Sequence, residues 1–189
     1  MISTKPNPDI SAERLMETIH RICSFGIRFA GSGKEQECAD WIEEKFRELG
    51  LTEIHQHRFP CPSFEPGECT LEVKQEGSWQ SVESEPAAHS PSTPPEGIRG
   101  DLVVVEKIPG SQKAANQMMR HKVLLLQCSE LFQIHRLKRT MKARPTGILL
   151  VDDRFPNNWT VAIGFPRYWI DFLSCPITVS YTHLTLPTN

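Results

Sequence analysis

The sequence has no apolar run long enough to span a membrane as a helix, which takes about 20 residues. Its longest apolar stretches, Leu102 to Val105 and Val123 to Leu126, have the length of strands. The first residues, Met1 to Pro8, also lack the apolar core of a secretory signal. These absences argue against a membrane partner and predict a cytoplasmic protein.

An excess of positive charge is also missing. Lys and Arg number 21 and Asp and Glu number 23, for a formal net charge of -2, whereas nucleic-acid-binding proteins usually have a basic surface. The densest basic stretch runs from His135 to Arg144, interrupted by Leu137 and Met141. We interpret it as the solvated face of a surface helix, with an anion or nucleic-acid patch as the alternative. No nucleic-acid partner is therefore expected.

Several recognised chemical motifs are absent. The six cysteines include no pair spaced as Cys-x-x-Cys, so neither a zinc ribbon nor a thioredoxin-type motif is indicated. Without a secretory signal, reduced thiols are the better expectation. The sequence also lacks a P-loop, a dinucleotide fingerprint and a Gly-x-Ser-x-Gly nucleophile elbow. It therefore offers no independent enzyme of another class.

Two helices are predicted at the front of the chain. The first spans Ser11 to Phe25, with Ser11 as its N-cap. The second begins at about Gly33, because Ser32 followed by Glu35 forms a capping box, and it stops at Gly50. The apolar stripe of this second helix consists of Cys38, Trp41, Ile42, Phe46 and Leu49.

Strands are expected after these helices. Thr52 to Phe59 alternates like a half-buried strand, with His55 and His57 on one face, and a second strand is expected at Cys69 to Val73. The Pro- and Ser-rich stretch Ser84 to Glu96 marks the best domain boundary. Beyond it we predict three short strands and a helix between the second and third of them, at Leu102–Val105, Val123–Leu126, Leu131–Met141 (the helix) and Ile148–Val151.

The front of the chain resembles the entry segment of the co-catalytic two-zinc aminopeptidases. The resemblance is carried by Arg28-x-x-Gly31-Ser32, by Cys38-Ala39-x-Trp41-Ile42 and by Leu49-Gly50 before a strand. The later part resembles the protease-associated (PA) domain that is often inserted in the same family, in the segments Gly97–Val105, Lys122–Leu126, Thr146–Val151 and Pro176–Thr178. One departure is Arg144-Pro145-Thr146, which stands where small residues are usual.

The resemblance implies an α/β fold with two parts. Residues 1–83 would be the N-terminal segment of a peptidase domain, with two helices and two strands, and residues 84–178 a β-rich α/β PA-like insert. The full-length parent would hydrolyse N-terminal peptide bonds of a peptide substrate, using water held between two zinc ions. The alternative is a non-catalytic PA-type module that binds a partner. The segment Arg28 to Gly50 favours the peptidase, because a free-standing PA module has no reason to contain it.

The chain lacks the zinc-ligand motif that the resemblance implies. The family's first two zinc ligands form a His-x-Asp motif just after the PA insert, and no histidine of this chain is followed two residues later by aspartate. We therefore expect no catalytic, metal-binding or cofactor-binding residue, and no zinc, in this fragment. Three local features imitate a metal site and are interpreted as solvated surface, namely Glu43-Glu44, the pair His55 and His57, and Asp152-Asp153.

The end of the chain has a different origin by our interpretation. Val179 to Thr188 matches an in-frame translation of a transposon-type sequencing adaptor. Residues 179–189 are therefore predicted to be a non-native tail from read-through, and His183 within it is given no functional weight. The native sequence is expected to continue differently after Thr178.

Overall fold

The computed structural model describes residues 11–151 and 167–180 of the 189-residue chain. They belong to two compact units, which meet in sequence between Glu65 and Pro66. Among the described helices, none has the length and apolarity that crossing a membrane requires. The division at residue 84 remains a prediction about the domains of a longer protein.

The first unit contains both predicted helices, α1 (Ala12–Ser24) and α2 (Gly33–Glu48). The Ser11 hydroxyl accepts the N–H of Arg14 at 3.4 Å, and the Ser32 hydroxyl accepts the N–H of Glu35 at 3.2 Å. Gly50 follows α2 with φ +82°, the left-handed conformation that ends many helices. The predicted caps and the predicted stop are confirmed.

The strand predicted at Thr52 to Phe59 is wrong, because this segment has no strand assignment. Its alternating pattern is compatible with a strand, but a strand also needs a neighbour that accepts its backbone hydrogen bonds. The segment is tied to α2 by a side chain instead. The Gln56 amide donates to Asp40 Oδ1 at 3.1 Å and to Glu43 Oε2 at 2.6 Å.

The second unit begins with an antiparallel hairpin of β1 (Leu71–Gln75) and β2 (Ser78–Val82). The two turn residues, Glu76 and Gly77, have φ of +49° and +88°. Two successive positive φ values are typical of the type I′ turn, whose twist matches that of the strands it joins. The strand predicted at Cys69 to Val73 is thus confirmed, shifted by two residues at each end.

The second unit continues as a five-stranded sheet with helices in its connections. Its described elements are β3 (Glu85–Pro86), β4 (Leu102–Val104), α3 (Gln112–Met119), β5 (Val123–Gln127), α4 (Cys128–Leu131), α5 (Ile134–Lys142), β6 (Gly147–Val151), α6 (Arg167–Ile170) and β7 (Ile177–Ser180). The sheet order is β3-β7-β6-β5-β4, in which only β3 is antiparallel to its neighbour. The four described helices lie between successive parallel strands, as expected for βαβ connections.

The main hydrophobic cluster of this unit lies on one face of the sheet, while Leu125 and Leu149 on the other face are buried as well. Alternate strand residues share a cluster with buried residues of the helices. Its largest fully buried members include Met119, Leu124, Leu131, Leu137, Ile148 and Leu150. The predicted α/β fold class is confirmed, and so are the three predicted strands after Ser84. The predicted helix from Leu131 to Met141 corresponds to α5, preceded by the one-turn helix α4.

Two unusual segments of the sequence, at Arg144 and at Val179, have defined places in this unit. Arg144, the departure noted before the third strand, has φ +57° and ends α5. Val179 and Ser180, the first two residues of the predicted read-through, form the end of β7 and are buried. The strand accepts them because a small apolar and a small polar residue alternate between its two faces.

Candidate functional site

The part of the chain that the structure describes brings no three His, Cys, Asp or Glu side chains into an arrangement that could hold a metal ion. Zinc sites in proteins use three or four such ligands. The described residues therefore do not fit the zinc ions that the family resemblance implies. Asp152-Asp153 and His183 lie outside the described residues.

The pair Glu43-Glu44 divides into two different environments on α2. Glu44 is exposed, as predicted. Glu43 is partly covered, with 19% of its side chain exposed, and it pairs with Arg47 one helical turn later. Since its second oxygen accepts the amide of Gln56, Glu43 serves to hold the following segment against α2.

The same amide group connects Glu43 to a second carboxylate that the sequence analysis did not single out. Asp40 Oδ1 accepts hydrogen bonds from Gln56 and, at 2.7 Å, from Gln36. The hydrogen bond from Gln56 lowers the pKa of Asp40 most, and the bond from Gln36 and the charge of Arg58 lower it further. Asp40 and Glu43 thus share the Gln56 amide as a donor, and together they hold the loop that contains it against α2.

The two histidines that imitate a metal site in the sequence do not form one in the structure. His55 and His57 are both exposed and lie in a segment without strand structure. His55 lines a depression of about 530 Å³, together with Phe46, Leu51 and Ile54. The lining also includes Glu53, so it offers one imidazole and one carboxylate, fewer than the minimum of three protein ligands that zinc sites use.

The remaining candidate is the basic stretch from His135 to Arg144. It contains α5, whose buried residues are Leu137, Thr140 and Met141, so the predicted amphipathic surface helix is confirmed. One of its lysines has an aromatic neighbour: the Lys138 ammonium lies 4.2 Å from the centroid of the Phe172 ring. Sequence reasoning missed Phe172, because no local pattern connects it with α5.

A comparison with solved structures finds similar folds among peptidases. BSAP, a zinc aminopeptidase from Bacillus subtilis, matches in two structures with a TM-score of 0.60, at 19% and 18% identity, over 89% of this chain and 38% of that chain. A peptidase M28 precursor from Shewanella amazonensis matches with a TM-score of 0.60 and 12% identity, over 87% of this chain and 40% of that chain.

These likenesses bear on the fold alone, because the identities are low. The chain spans 38% to 40% of the length of the structures it matches. Neither a family model nor a curated protein matches the sequence.

Proposed function

We propose that this chain is the N-terminal part of a zinc-dependent aminopeptidase and lacks the metal site of that enzyme. Residues 1–83 belong to the peptidase domain in this proposal, and residues 84–178 form its PA-like insert. The observation that carries the proposal is the similarity in fold to a zinc aminopeptidase over 89% of this chain. The order of elements in the sequence, two helices, strands and then an α/β insert, supports the same conclusion.

The activity belongs to residues outside this chain. When bound, a pair of zinc ions would activate water for attack on the peptide bond. The described residues do not supply the ligands, so no catalytic step is assigned to them. What they contribute is scaffold: the capped helices of the first unit and the sheet of the second.

The tail from Val179 is proposed to be read-through, and this has a structural consequence. Val179 is 1% and Ser180 0% exposed, and both pair with β6. The native continuation must then place residues of similar size and alternating polarity at these two positions. Otherwise the end of β7 would not pack beside β6.

The decisive experiment is a longer read of the encoding locus. We expect it to depart from the present sequence within a few residues after Thr178 and to encode His-x-Asp soon afterwards. A locus that encodes the same residues through Thr188 would contradict the read-through. A locus that departs but encodes no His-x-Asp would contradict the peptidase.

A second experiment compares the chain with its extended form. The extended protein should bind two zinc ions per chain, release amino acids from aminoacyl-anilides, and lose this activity on treatment with a chelator. The present chain should do neither. Two equivalents of zinc retained by the present chain after dialysis would overturn the proposal.

The competing proposal is a non-catalytic binding module. The observation in its favour is that residues 66–180 have a core of their own, with Leu124, Leu137 and Ile148 almost fully buried. A unit that buries its own apolar residues does not require a catalytic domain to fold. The locus read separates the two, because a binding module needs no zinc ligands.

A further inference from the structure

The exposed side of α5 carries basic residues and no acidic one. His135, Lys138 and Lys142 follow each other at three- and four-residue spacing, which places them in one row along a helix. All three are exposed, and Arg144, directly after the helix, is exposed as well. We call these four residues the basic row. In the described part of the chain, none of them has a carboxylate partner.

The other two basic residues of this stretch are used within the unit. Arg136 pairs with Glu130 at 2.7 Å, and the Arg139 guanidinium donates to the Pro109 carbonyl at 3.0 Å. Arg136 and Arg139 therefore hold the fold together, whereas the cations of the basic row make no ion pair with any described residue.

The solvated face of α2 differs from the basic row in its charge pattern. On α2 the exposed cations are paired with glutamates three or four residues away, in the pairs Lys34–Glu37, Lys45–Glu48 and Arg47–Glu43. Such mixed faces are typical of helices that only need solubility. The unmixed row on α5 departs from this pattern.

Local helix electrostatics explain only part of the row. The helix dipole favours cations at the C-terminal end, which accounts for Lys142 and Arg144. Lys138 and Lys142, four residues apart, repel each other. The sequence of α5 contains no acidic residue that would offset this repulsion.

An exposed aromatic ring lies beside the row. The Lys138 ammonium lies 4.2 Å from the centroid of the Phe172 ring, which is 36% exposed. The neighbourhood therefore combines cations that have no carboxylate partner among the described residues with an apolar ring that a partner could cover.

We propose that the basic row, with Phe172, docks an acidic peptide segment that also carries apolar side chains. Carboxylates complement the cations of the row, and an apolar side chain would pack on the exposed part of the Phe172 ring. Lys138 and Lys142 are about 6 Å apart along the helix axis. Alternate residues of an extended peptide repeat at nearly the same distance, about 6.6 Å, so successive carboxylates would meet successive cations.

Other anionic partners fit less well. Single-stranded nucleic acid needs aromatic faces for stacking, and one face of Phe172 is already covered by Lys138. An anionic membrane requires an apolar helix face to insert beside the cations, whereas α5 buries its apolar face inside the unit.

The test measures binding of a fluorescent synthetic peptide of alternating glutamate and leucine, by anisotropy at low and high salt. The matched control peptide has glutamine in place of glutamate. Two charge-equivalent variants are compared, Lys138→Glu in the row and Lys74→Glu on the exposed side of β1. A third variant, Phe172→Ser, removes the aromatic ring beside the row, and circular dichroism confirms that each variant is folded.

We expect the acidic peptide to bind, salt to weaken it, and Lys138→Glu to weaken it by about tenfold, as loss of a complementary charge at an interface does. Lys74→Glu should bind like the original chain, and Phe172→Ser should weaken binding at both salt concentrations. Equal effects of the two lysine variants, or equal binding of the glutamine peptide, would overturn the proposal. So would tighter binding of oligothymidylate or phosphatidylserine vesicles, or self-association that Lys138→Glu abolishes.

Discussion

Glu130 and Arg136 form an ion pair of 2.7 Å in which both side chains are about four-fifths covered. The second oxygen of Glu130 accepts the backbone N–H of Ile108 at 3.2 Å. One carboxylate thus connects α4, α5 and the loop that follows β4. A partly buried charge is tolerated here because both of its oxygens have a donor.

Replacing this carboxylate should separate its two roles. Glu130→Ala leaves a covered guanidinium and a backbone N–H without their partner, and we expect it to lower the free energy of unfolding by about 1.5–3 kcal/mol. Glu130→Gln keeps an acceptor for Ile108 but loses the ion pair, so its loss should be smaller. Urea unfolding measures both. Equal stability of Glu130→Ala and the original chain would show that the pair contributes nothing.

Because the Cys175 thiol is buried, we expect the stability of the fold to decrease at alkaline pH. Burial raises its pKa from an ordinary 9.0 to about 12, so the unfolded chain releases this proton first. Stability is therefore fully present below pH 9 and declines as pH rises toward 12, by up to about 1.4 kcal/mol per pH unit.

Cys175→Ala provides the control, because it removes the titration and should lose stability less steeply above pH 9. A parallel measurement uses thiol labelling at pH 8, where the thiolate is the reactive species. Exposed Cys23 should be alkylated quickly and Cys175 only on unfolding. Rapid labelling of Cys175 in the folded chain would contradict its burial.

Features that depend on a few adjacent residues were predictable from the sequence. The caps at Ser11 and Ser32 need only a hydroxyl and an N–H three residues later. Strands β5 and β6 are continuous apolar runs, as expected for strands covered on both faces. The helix α3 was not predicted, because only Ala115 and Met119 of its eight residues are buried and its apolar stripe is short.

Features that depend on distant contacts were not predictable. The segment Thr52 to Phe59 alternates, but whether it becomes a strand is decided by a neighbouring strand, and the side chain of Gln56 holds it to α2 instead. In the same way, the basic side of α5 is readable in the sequence, whereas the contact of Lys138 with Phe172 arises from the fold of the whole second unit.

The two units should respond differently to substitution. Ile19 on α1 is 50% exposed and Leu137 on α5 is fully buried. We expect Ile19→Ser to change the stability of this chain by about 0.5 kcal/mol or less and Leu137→Ala to lower it by about 2–5 kcal/mol. In the proposed longer protein, Ile19→Ser should become more costly if the missing part covers α1. Urea unfolding of both forms provides the comparison.

Hydrogen exchange tests the same difference along the backbone. In the apolar stripe of α2, Cys38 is 6% exposed but Phe46 is 43% and Leu49 72% exposed, whereas Leu124 to Leu126 of β5 are at most 5% exposed. Amides exchange through local opening, and an element with few buried side chains opens at lower free energy. We therefore expect the amides of Cys38 to Leu49 to exchange much faster than those of Val123 to Leu126. Equal protection of the two segments would mean that the first unit is stable by itself, and the proposal that a longer protein completes it would lose its physical support.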